Sequence, residues 1–105
     1  MPGSKPPKSY KTFIDTFPKL GEAWQAIREA EDVGPADGKA KRLIKLGVAV
    51  GAMREGAVHS AARKALAAGA TREELEQVVA LAASTIGLPS AVAVHTWITD
   101  VLDED

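Results

Sequence analysis

The stretch ALAAGATREELEQVVALAASTI, residues 65–86, stops one helix and starts another within a few positions. Gly69 tolerates the left-handed backbone that closes a helix, so the helix carrying Ala65 and Leu66 is expected to end there. Thr71 and Glu74 then have capping-box spacing. The threonine oxygen accepts from the amide of Glu74, and the glutamate reaches back to the threonine amide. Downstream, Leu75, Val78, Val79, Ala82 and Ile86 recur at helical spacing and form one apolar face.

Working outward, only helical segments are expected and no strand. YKTFIDTF (10–17) is short, and Pro18 restarts the chain in a segment where Leu20, Ala23, Trp24 and Ile27 keep helical spacing until Gly34-Pro35. Asp37 is placed to cap the next helix, whose Leu43, Ile44, Leu46, Val48 and Val50 are apolar nearly all round, the pattern of a central buried helix. A helix from Glu55 to Ala68 follows, then the capped helix, and GLPS leads into a last one over about 90–102. The fold class is therefore all-α. Residues 1–9, with Pro2, Pro6 and Pro7 among lysines, read as a flexible arm, leaving 10–105 as a single helical domain.

Composition narrows the function. A net charge of -1 gives no basic excess for a nucleic-acid partner. No long uncharged apolar run suggests a signal peptide or a membrane span. The chain has no cysteine, which removes thiolate nucleophiles, disulfides and zinc-thiolate sites and suits a reducing cytoplasm. With His59 and His95 as its only histidines, and no His-x-x-x-His or Glu-x-x-His spacing, no metal site is expected. The apolar surface looks excessive for one short chain to cover, which points to self-association.

Candidate chemistry lies in REGAVHS, residues 54–60. On a helix at about 100° per residue, Glu55, His59 and Arg63 share a face, while Ala57, Ala61, Ala65 and Ala68 form a separate column. Glu55 one turn before His59 can accept a ring N–H, which would equip the imidazole as a general acid or base. Arg54 and Arg63 are candidate contacts for a substrate carboxylate, because a guanidinium grips one bidentately. The same residues also fit a half-exposed polar ladder worth a few tenths of a kcal/mol per pair. His95 and Trp97, near the apolar face of the last helix, fit a satisfied histidine and a core tryptophan better than a pocket rim.

The run from Leu43 to Ala93 resembles the carboxymuconolactone decarboxylase / alkylhydroperoxidase D family. Three features carry the resemblance: LIKLGVA in the central helix, KALAAGATREEL at 64–75, and the Gly-x-Pro start at Gly87-Leu88-Pro89. It covers about residues 37–102 and implies an alkylhydroperoxidase-D-like helical bundle assembled as a homotrimer or homohexamer. Aligned on AGATREE, the family's two peroxidase cysteines fall on Arg54 and Ala57, its histidine on Ala61 and its relay glutamate on Arg42. A peroxidase label would follow by family transfer, but these residues do not support it.

The family's decarboxylase branch implies a lyase-type reaction on a small organic acid, without metal or organic cofactor. Glu55 and His59 would be catalytic, and Arg54 and Arg63 substrate-binding. The alternative is a non-catalytic binding or scaffold subunit. With no thiol to attack peroxide, the purified protein is expected not to reduce alkyl hydroperoxides with a dithiol donor. Turnover that a His59→Ala change abolished would contradict the view that the redox face is vacated.

Overall fold

The computed structural model describes residues 8–104, so residues 1–7 of the expected arm lie outside the described residues. Six helices follow one another: α1 (Lys8–Thr16), α2 (Pro18–Glu31), α3 (Gly38–Gly51), α4 (Glu55–Ala67), α5 (Arg72–Ile86) and α6 (Leu88–Leu102). The described residues contain no strand, and no helix among them is long and apolar enough to cross a membrane. Pro18 occupies the first turn of α2 and separates it from α1, as expected. Lys8 and Ser9, expected in the arm, belong to α1.

The helix boundaries have local causes. Thr71 Oγ1 accepts from the Glu74 amide at 3.1 Å and Glu74 accepts from the Thr71 amide at 2.9 Å, completing the capping box. At the end of α4 the Gly69 amide bonds the Leu66 carbonyl and the Ala70 amide bonds the Ala65 carbonyl. With Gly69 at φ 99, this is a Schellman ending. The end of α3 repeats the pattern with Met53 at the left-handed position, φ 55. There a side chain accepts a backbone that costs about 1–2 kcal/mol outside glycine. Asp37 stands at the start of α3 as expected, without a side-chain capping bond.

α3 to α6 form the core. α3 packs on α4 and α5, and α6 packs on the same two helices from the other side. Leu46, Val50, Val58, Leu75, Val94 and Ile98 are fully buried, and Ala62 and Ala65 of α4 are closed off between them. Each large apolar side chain buried this way contributes about 1.5–3 kcal/mol. A surface ion pair contributes about 0–1, so apolar burial, rather than the polar periphery, holds the bundle.

One expectation is corrected here. α3 is not buried all round: Leu46, Ala49 and Val50 face the core, whereas Ile44 and Val48 are 58% and 68% exposed. On α4 the buried seam is Val58-Ala62-Ala65, while Ala57 and Ala68 are exposed and Ala61 is half-buried. The column at steps of four drifts off the contact, because the packed face follows the partner helices.

α1 and α2 pair with each other, with Gly21 crossing close to Ile14, and bury no residue in the core. Ion pairs at the end of α2 tie this hairpin to α3: Glu31 to Lys45 and Asp32 to Lys41, each at 2.5 Å. The radius of gyration, 14.5 Å, exceeds the roughly 13 Å of a compact chain this long, as a hairpin standing off a bundle requires. Phe13, Phe17, Leu20, Trp24 and Ile27 remain about half exposed along it.

Overpacking distinguishes the two faces of α4. Ala62→Leu is expected to cost about 1–3 kcal/mol in chemical denaturation, and Ala57→Leu to stay within about 0.5 kcal/mol of wild type. Equal losses would contradict the rotation of α4 described above.

Candidate functional site

The reversal at Met53 delivers Arg54 and Glu55 to the start of α4. Arg54 is the N-cap residue in extended conformation, exposed and without a capping bond. Glu55 is exposed in the first turn. Among the described residues no hydrogen bond joins it to His59, although the two are one turn apart. His59 is half-buried, and its Nε2 is enclosed with no hydrogen-bond partner. A buried polar atom in that state costs about 1–3 kcal/mol.

Arg63, one turn further on, is already engaged. Its Nε donates to Glu104 Oε1 at 3.0 Å and its Nη2 to Oε2 at 2.6 Å, a two-pronged grip on the carboxylate that follows the end of α6. The Glu104 carboxyl is held below its ordinary pKa, first by this hydrogen bond and then by the charges of Arg63 and His59, with desolvation opposing. Of the face expected to act together, Arg63 therefore meets Glu104, His59 lies close enough for its charge to be felt there, and Glu55 and Arg54 stand at the solvent-facing start of the helix.

His95 is exposed, with Nε2 at 3.8 Å from Glu76 Oε2. Trp97 packs against the core. The positions where the resemblance would put redox residues hold an exposed N-cap arginine (Arg54), an exposed alanine (Ala57), a half-buried alanine (Ala61) and the half-buried Arg42.

A cleft of about 280 Å³ opens elsewhere, between α2, α3 and α4, and His59 does not line it. Trp24 and Arg28 come from α2, Arg42 from α3 and Lys64 from α4. Sequence reasoning missed this cluster. Its members lie on three helices, and each by itself is an unremarked charge or aromatic on a helix face. Only the apolar neighbours of Lys64 in the alanine-rich α4 hinted at a lysine drawn inward.

The model of the carboxymuconolactone decarboxylase family matches residues 18–100, and the chain belongs to that family. Its all-helical architecture is a fold of this kind. Neither a search of curated proteins nor one of solved structures returns a match.

The grip on Glu104 has a pH signature. Because the folded carboxylate gives up its proton more readily than the unfolded one, the pair stabilises above the ordinary carboxylate range. That stability disappears as pH falls through the folded value. Glu104→Gln is expected to lower the melting temperature near neutrality and to converge with wild type below the carboxylate range. Parallel melting curves for the two proteins across a pH series would contradict this.

Proposed function

We propose that the chain performs cofactor-free acid/base chemistry, a decarboxylation or isomerisation, on a small organic acid, as a subunit of a homotrimer or homohexamer. His59 moves the proton. Loss of carbon dioxide leaves an electron pair on carbon that needs a proton, and an isomerisation needs one taken and returned. Glu55 turns to the ring when substrate binds, and Arg54 holds the substrate carboxylate. Arg63 joins it by exchanging Glu104 for the substrate, one two-pronged carboxylate contact for another.

The observation that carries this is His59 Nε2, enclosed and unpartnered. A substrate oxygen or carbon acid brought there would meet a ring nitrogen not already committed to the protein. Family membership supports the reaction class. The cysteine-free composition suits a cytoplasmic setting.

A second possibility, a non-catalytic subunit that keeps an assembly, is favoured by the exposed ridge Phe13, Phe17, Leu20, Trp24 and Ile27. Both possibilities require self-association. Light scattering across micromolar concentrations is expected to return a multiple of 11.0 kDa, and a constant monomer mass would contradict both.

Incubation with unsaturated lactone acids in heavy water separates them. The enzyme is expected to release carbon dioxide or place deuterium on substrate carbon, and His59→Gln to remove this without changing the particle mass. An intact assembly with no His59-dependent exchange or release favours the scaffold.

A further inference from the structure

Acidic partners are unevenly shared among the cations of the α2–α3–α4 cleft. Lys41 and Lys45 are neutralised by Asp32 and Glu31. Glu29, also on the wall, accepts from Gln25 at 3.3 Å. Arg28, Arg42 and Lys64 have no carboxylate oxygen within 4.0 Å among the described residues. The walls carry five cations (Arg28, Lys41, Arg42, Lys45 and Lys64) against three carboxylates (Glu29, Glu31 and Asp32), an excess of two positive charges, and the Trp24 ring supplies an apolar wall beside them.

We propose that this cleft binds a compact dianion, a dicarboxylate or a phosphate monoester. Arg28, Arg42 and Lys64 contact its acidic groups, and Trp24 lies against its apolar body. Guanidinium forks match carboxylate and phosphate oxygens in pairs, and the lysine adds a point charge from the opposite wall. Two negative charges match the excess of two positive charges on the walls. A ring face beside a cationic cluster also selects a ligand with a planar or apolar part.

The state of Lys64 agrees. Its ammonium is held below the ordinary lysine pKa, chiefly by burial and then by the charges of Arg42, Arg28 and Lys45, with Glu31 acting the other way. A bound anion reverses that balance and raises it. The site is independent of the His59 chemistry proposed above, since Lys64 and Arg63 leave α4 in different directions, one to the cleft and the other to Glu104.

The experiment titrates the full chain with inorganic phosphate, phthalate and benzoate at constant ionic strength, following the Trp24 indole N–H by NMR. Trp24→Phe identifies which of the two indole signals is Trp24. Phosphate or phthalate is expected to give a saturable shift, with benzoate binding about tenfold more weakly. Arg42→Ala and Lys64→Met are each expected to weaken binding about tenfold or more.

Saturation by phosphate alone assigns a phosphate ester, and saturation by phthalate alone a dicarboxylate. In the wild-type chain, with lysines methylated reductively so that they keep their charge, the Lys64 signal is expected to titrate at higher pH once the anion is bound. The proposal is overturned if no dianion saturates the Trp24 signal or if benzoate binds equally well. It is equally overturned if the folded charge variants bind as wild type does, or if the Lys64 titration is unmoved by ligand.

Discussion

The seam of Val58, Ala62 and Ala65 on α4 fixes everything else in the molecule. These side chains are fully buried between α3 and α6, and two of them are alanines, so the helices approach closely and leave little tolerance for rotation. Fixing α4 about its axis decides where its polar residues go. Arg63 leaves toward the end of α6 and meets Glu104, His59 is drawn partly inward beside them, and Lys64 leaves toward α2 and α3. A helix turned by one residue, about 100°, would take all three away from these destinations. The packing of a small-residue stripe therefore sets the chemistry available on either side of it.

Much of this was legible in the sequence because its causes are local. The Thr71–Glu74 capping box and the Gly69 ending need only residues within a turn of each other, and both form as their spacing required. The burial of α3 was not legible in the same way. Ile44 and Val48 look like core residues in sequence, but no helix among the described residues covers their side of α3. Nor does the sequence separate the column Ala57-Ala61-Ala65 from the seam Val58-Ala62-Ala65, because alanine fills both and only the partner helices choose. The candidate site was half legible. His59 stood out as a lone imidazole at a face edge, whereas the Arg63–Glu104 contact and the cleft around Lys64 depend on residues far apart in the chain.

Membership of the carboxymuconolactone decarboxylase family gives these observations a frame. The all-helical bundle is present, while Arg54 and Ala57 stand at the positions where the resemblance would put thiols. What the chain offers instead is a ring nitrogen without a partner, a two-pronged ion pair at the end of α6, and unpaired cations in a cleft. The α1–α2 hairpin contributes one wall of that cleft, and its half-exposed apolar ridge includes Trp24 of that wall. A single hairpin thus links the proposed anion site to the surface on which assembly is proposed.

Amide hydrogen exchange on the full chain, resolved residue by residue by NMR, tests the primacy of the α4 seam most directly. The slowest amides of the protein are expected in α4 between Val58 and Leu66, opening only with global unfolding, together with their partners around Leu46 and Ile98. Exchange in that segment as fast as in α1 would contradict the account.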